Sequence, residues 1–166
     1  MRGIRTVNIV RREELVPELK ALGADVVLVD GPDLPARVRE ATAGAHLPIG
    51  LDGIAGDATA RLAECLSNGA TVANFGVMSG EPCKVPIWIL HYKRTIIRGY
   101  YAGFNFFERT LAEQNEIIRE LADLIASGKL VTAIGGTYTL DQYREAVSHA
   151  EAEGADRAGK IVFLPN

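Results

Sequence analysis

Residues Thr6 to Asp30 read TVNIVRREELVPELKALGADVVLVD, two short apolar runs on either side of an amphipathic segment. Leu15, Leu19 and Leu22 recur at helical spacing, and Gly23 supplies a stop. The β-branched runs Thr6–Val10 and Asp25–Val29 are too short and too apolar for surface helices and read as strands. A strand, a helix and a strand within 25 residues form a parallel crossover unit. In dinucleotide-binding α/β sheets such a unit normally follows an earlier strand and a glycine-rich turn. Here it opens the chain.

The same alternation continues, with strands expected at Ile49–Asp52, Thr71–Phe75 and Thr95–Tyr100. GDATARLAECLSNG predicts a helix with Asp57 as N-cap, Leu62, Cys65 and Leu66 facing inward, and Gly69 closing it. ERTLAEQNEIIRELADLIASGKL predicts the longest helix, its apolar stripe formed by Leu111, Ile117, Ile118, Leu121, Leu124 and Ile125. From Ile134 the character changes to a Gly-Gly turn, a helix over Asp141–Ala152, a Gly/Ala/Asp loop and a last strand, Lys160–Leu164.

The 166 residues, 48% of them hydrophobic, suffice for one domain with an appendage. A net charge of -3 argues against a nucleic-acid partner, and no apolar run approaches the roughly 20 residues of a membrane-spanning helix. Without a signal-peptide pattern at Met1, a cytosolic protein is expected. Cys65, Cys83, His46, His91 and His149 show no metal-ligand spacing. Cys65 reads as a buried thiol on a helix.

Arg11 and Arg12 follow the first strand, where a dinucleotide-binding sheet meets the adenosine ribose. An acid there suits the 2′-hydroxyl of NAD, whereas a guanidinium matches the 2′-phosphate of NADP in charge and bidentate geometry. The alternative is the solvated first turn of a helix. The helix dipole accounts for Glu13 and Glu14 but not for two arginines. GIAGDA, Gly53–Ala58, lacks the spacing of a phosphate-binding turn and reads as a strand-to-helix turn whose glycines allow close backbone approach.

Taken in order, ALGADVVLVD, LDGIAGDATARLAECLSNGATVANFG, GKL, YTLDQYREAV and GKIVFL resemble the C-terminal half of medium-chain dehydrogenases/reductases, over about Arg5 to Leu164. The likeness is greatest to the zinc-independent 2-enoyl thioester reductases, with quinone oxidoreductases as near relatives. It implies an α/β fold: an incomplete Rossmann-type parallel sheet lacking its first strand over residues 1–133, and a C-terminal return segment over 134–166 belonging to a GroES-like catalytic domain. Removing strand one from the order 3-2-1-4-5-6 leaves strands without neighbours. Self-association, strand exchange or a rearranged order is therefore expected, with a homodimer formed through Thr95–Tyr100 as in the family.

The resemblance implies NADP(H) as cofactor and an enoyl thioester or conjugated carbonyl as small-molecule substrate. It assigns the 2′-phosphate to Arg11, Arg12 and Glu13, although Glu13 departs from a position that is often basic. It assigns Phe75, Gly76, Val77 and Met78 to the loop beside the pyrophosphate and nicotinamide, Tyr100, Tyr101 and Ala102 to the nicotinamide, and Lys160 to the cofactor's neighbourhood. Read by their chemistry alone, Tyr100 and Tyr101 equally suit a core or an interface, Met78 packing, and Lys160 a solvated strand start. The family's proton donor has no counterpart here, and no catalytic residue is assigned. Two other readings stay open: a catalytically inactive cofactor-binding or interaction module, and a relative of quinone oxidoreductases or zinc-type alcohol dehydrogenases.

Overall fold

The computed structural model describes residues 3–152 and 159–164. The chain divides into two compact units, residues 1–104 and 105–166.

The first unit carries five strands, β1 (Val7–Val10), β2 (Val26–Val29), β3 (Ile49–Asp52), β4 (Thr71–Asn74) and β5 (Ile96–Gly99). All pairings are parallel, and they fall into two groups, β1-β2 and β3-β4-β5. Chain order explains the division. With strand one left out of 3-2-1-4-5-6, the remaining pairs are 2 with 3, and 4 with 5 with 6, and these are the pairs observed. The strand order is interrupted as expected, and the remaining pairs keep the Rossmann order.

Helices α1 (Leu15–Ala21), α2 (Leu34–Ala41) and α3 (Asp57–Cys65) form the crossovers. In α2 a proline in the first turn pre-sets the helical φ, and Leu34 and Val38, four apart, bury one face. α2 packs on α3. The core gathers Ala63, Leu66, Ala70, Val72 and Ile89, the last from α4 (Ile87–His91).

Several local expectations are corrected. The N-cap of α3 is Gly56 at φ +61°, a conformation glycine adopts without strain, and Asp57 is the first helical residue. The helix ends at Cys65, where Leu66 turns extended, four residues before Gly69. Cys65 is half-buried and donates to the Arg61 carbonyl at 3.1 Å; burial pushes its thiol up to about 11, so it stays protonated at neutral pH. Neither α2 nor α4 has a counterpart in the periodicity reading.

In the second unit α6 (Leu111–Ala126) begins in a capping box between Thr110 and Glu113, following α5 (Ala102–Phe107), which spans the division between units. The apolar stripe of α6 is present, but none of its residues is buried. The Gly-Gly turn is instead part of a strand, β6 (Ile134–Tyr138), which pairs in parallel with β7 (Lys160–Phe163) across an irregular register. Gly136 fits there because a Cβ would stand 2.9 Å from the Tyr138 ring and 3.0 Å from His149 Nδ1. α7 (Tyr143–Glu151) supplies that histidine, which bonds Tyr138 Oη at 2.7 Å. The Gly/Ala/Asp loop between α7 and β7 lies mostly outside the described residues.

Candidate functional site

Open parallel sheets bind ligands beyond the carboxyl ends of their strands. In this chain the β3 and β4 ends are joined by a network centred on Asp52, the last residue of β3, which is 3% exposed. One carboxylate oxygen accepts from the Ile54 and Ala55 N–H groups at 2.9 and 3.0 Å. The other accepts from Thr59 Oγ1 at 2.7 Å and Asn74 Nδ2 at 3.1 Å. Asn74 Nδ2 also donates to the Gly76 carbonyl at 2.9 Å.

Backbone bonds complete the junction. Phe75 N–H donates to Asp52 O at 2.8 Å, Met78 N–H to Gly53 O at 3.1 Å and Ser79 N–H to Ile54 O at 2.9 Å. A Cβ on Gly53 would meet the Phe75 ring at 2.9 Å, and one on Gly76 would meet Gly53 O at 2.8 Å. The turn 53–56 and the loop 75–79 thus form one laced surface, on which Phe75, Val77 and Met78 are exposed. Exposed apolar side chains over a rigid, glycine-lined backbone offer a flat aromatic ring both contact and close approach.

The expected site residues fall into three places. Phe75, Gly76, Val77 and Met78 lie on the laced surface, and Tyr100 stands beside it, its N–H donating to Asn74 O at 2.8 Å. Tyr101 packs edge-on against Phe104 at 4.9 Å, and Ala102 opens α5. Arg11, Arg12 and Glu13 follow the end of β1, with Arg11 and Glu13 exposed and Arg12 half-buried. Lys160 is the exposed first residue of β7 in the second unit. The sequence reading missed Asp52, Thr59 and Asn74. A strand-ending acid directly before GIAGDAT was the available signal, because its carboxylate can cap the turn's N–H groups.

At the end of β2, Asp30 takes a bidentate contact from Arg61 of α3, at 2.8 Å to Nε and 2.5 Å to Nη2. That pair ties the β1-β2 group to the helix packed on β3-β4-β5. The hydrogen bonds from Arg61 hold the Asp30 carboxyl below its usual value. Burial pushes Asp52 up, but its hydrogen bonds outweigh that and leave it lowered as well. A carboxyl depressed by folding stabilises fully above its unfolded value of 3.8, and this contribution is lost as pH falls through the lower folded value. The urea midpoint should therefore drop steadily below pH 3.8. A double variant, Asp30→Asn with Asp52→Asn, should flatten that limb; an unchanged slope would show that neither carboxyl carries it.

Residues 22–163 match the zinc-binding dehydrogenase family. A mitochondrial enoyl-[acyl-carrier-protein] reductase of Schizosaccharomyces pombe is 32% identical over 139 residues, 78% of this chain and 37% of that protein. The enzyme of the same name from Xenopus tropicalis is 29% identical over 97% of this chain and 48% of its own length. A mycobacterial protein solved in complex with NADPH superposes with a TM-score of 0.78 at 30% identity, covering 98% of this chain and 50% of that one. The chain therefore spans half or less of the length of these proteins. The expected cytosolic location is corrected, since the curated relatives are mitochondrial. The lack of a secretory signal pattern does not argue against a mitochondrial address, because a transit peptide is amphipathic and Arg-rich and has no apolar centre of that kind. Among the described residues no three His, Cys, Asp or Glu side chains gather to hold a metal, so they offer no donor set for the zinc of the family's name. The match over residues 22–163, with a strand order that fits a Rossmann sheet, assigns the family: the chain belongs to the zinc-binding dehydrogenase family, within the medium-chain dehydrogenases/reductases.

Proposed function

We propose that this chain is the cofactor-binding part of an NADPH-dependent reductase acting on a carbon–carbon double bond conjugated to a thioester. The observation that carries the reading is the pair Arg11 and Arg12 directly past β1, where no ion pair engages either among the described residues. Two guanidinium groups without carboxylate partners suit a 2′-phosphate. The relatives' names supply the enoyl thioester class, and the NADPH-bound mycobacterial structure supports the cofactor.

When bound, NADPH supplies the hydride that reaches the β-carbon of the enoyl group. This chain's residues bind and orient. Arg11 and Arg12 hold the adenosine phosphate, with Glu13 at the rim; Phe75–Met78 bear on the nicotinamide half, with Tyr100, Tyr101 and Ala102 at its side. Lys160 is a further candidate for the cofactor's neighbourhood, and the return segment 134–166 belongs with a GroES-like catalytic domain. The exposed Ile87, Trp88 and Ile96 near β5, an edge strand among the described residues, suit pairing with a second copy, as a homodimer.

Titration of the purified chain with NADPH, NADH and adenosine 2′,5′-bisphosphate tests the reading. NADPH should bind about ten- to a hundredfold more tightly than NADH, the range of one or two charge-assisted hydrogen bonds. Arg11→Gln with Arg12→Gln should abolish the difference, and equal affinities in the unsubstituted chain would sink the reading. A second reading is a binding module without turnover of its own. NADPH oxidation by this chain with a crotonyl thioester would rule that out.

A further inference from the structure

We propose that Asp52 is a positioning residue of the cofactor site, which sets the loop Phe75–Met78 through Asn74 while anchoring the turn Gly53–Gly56 directly. It can act so only if the chain binds NADPH as proposed above. Four donors converge on this one buried carboxylate, from the turn, from α3 and from β4, at 2.7 to 3.1 Å. No cation is within hydrogen-bonding reach among the described residues, so geometry rather than ion pairing holds it. A carboxylate accepts at both oxygens, and this site uses two bonds at each.

The bonding at Asn74 makes the relay specific. One amide hydrogen of Nδ2 goes to Asp52 and the other to the Gly76 carbonyl. The position of Gly76, and with it the exposed Val77 and Met78, is thereby tied to the charge state and shape of residue 52.

Asp52→Asn separates the two duties. The new amide oxygen can still accept from Ile54 and Ala55, and Thr59 can turn its hydroxyl to accept. The new NH2 then faces the NH2 of Asn74. Asn74 must flip to offer its oxygen, and in doing so it withdraws its donor from Gly76. The turn survives while the loop loses its tether. Asn74→Ala removes the same tether and leaves the Asp52 turn contacts in place.

The experiment titrates the full chain and both variants with NADPH and with adenosine 2′,5′-bisphosphate, which reaches only the arginine end. Far-UV circular dichroism establishes that each variant is folded, and Asn74→Ala decides the matter if Asp52→Asn does not fold. NADPH affinity should fall about tenfold or more in both variants. Affinity for the bisphosphate should stay unchanged, which a general loss of structure would not allow. A parallel fall for both ligands, or no fall for either, overturns the role of Asp52 and leaves the NADPH reading standing. Failure of the unsubstituted chain to bind either ligand overturns the NADPH reading, and the role of Asp52 with it.

Discussion

Ile89→Ala should destabilise the first unit by about 2–5 kcal/mol, the range for truncating a buried aliphatic side chain. Ile89 is fully buried and is the only buried residue of the five-residue helix α4. It closes a cluster made otherwise of Ala63, Leu66, Ala70 and Val72. Two of those four neighbours are alanines, which have no side-chain length with which to fill a hole, so the cavity term stays near its full size. The Ile89 carbonyl also accepts from Thr95 N–H at 3.2 Å at the start of β5, so a shift of α4 would reach the strand. A loss of this size is a large part of the 5–15 kcal/mol that holds a typical domain. Urea unfolding followed by circular dichroism measures it. A loss below about 1 kcal/mol, the level of an ordinary surface change, would mean that α4 does not seat on the β4 core.

The strands of the first unit were legible because β-branched runs such as VVLV and TVAN are short, apolar and bounded by polar or glycine residues. Their pairing was legible only in part: the interruption at the missing centre was read, but a rearranged order stood among the expectations, and the remaining pairs keep the parallel order that the crossovers dictate. α4 was not legible. Five residues are too few for a period to declare itself, and the burial of Ile89 comes from tertiary contact alone. At Gly136 the punctuation rule misled, because glycine marks close approach by a neighbour as readily as a turn, and here the neighbours are Tyr138 and His149. The site shows the same division. Arg11, Arg12 and Phe75–Met78 are contiguous and could be read in line, whereas Asp52, Thr59 and Asn74 are 7 and 22 residues apart along the chain and meet only in the fold. α6 is the reverse case. Its apolar stripe was read and is present, yet Leu111, Ile118, Leu121 and Ile125 remain exposed, because periodicity identifies a face and says nothing of what covers it.

Gly76→Ala should cost about 1–3 kcal/mol, as overpacking does where the neighbour cannot yield. The added methyl would stand 2.8 Å from the Gly53 carbonyl oxygen and 3.3 Å from Gly53 Cα, and both are backbone atoms of a turn already fixed by Asp52. Relief requires the loop to move away. The Met78 N–H bond to that same carbonyl and the Asn74 bond to the Gly76 carbonyl would then lengthen together. If the loop bears on the nicotinamide half of NADPH, affinity should fall on the order of ten- to a hundredfold, the equivalent of that energy in binding. Gly99→Ala is the matched control. A Cβ there meets nothing within 4 Å and needs no left-handed backbone, so its stability should change by less than about 0.5 kcal/mol. Urea midpoints for the two variants, read beside their NADPH titrations, separate the effects. Equal stability of the two would mean that turn and loop are not in contact. A destabilised Gly76→Ala that still binds NADPH at full affinity would place the cofactor away from the loop.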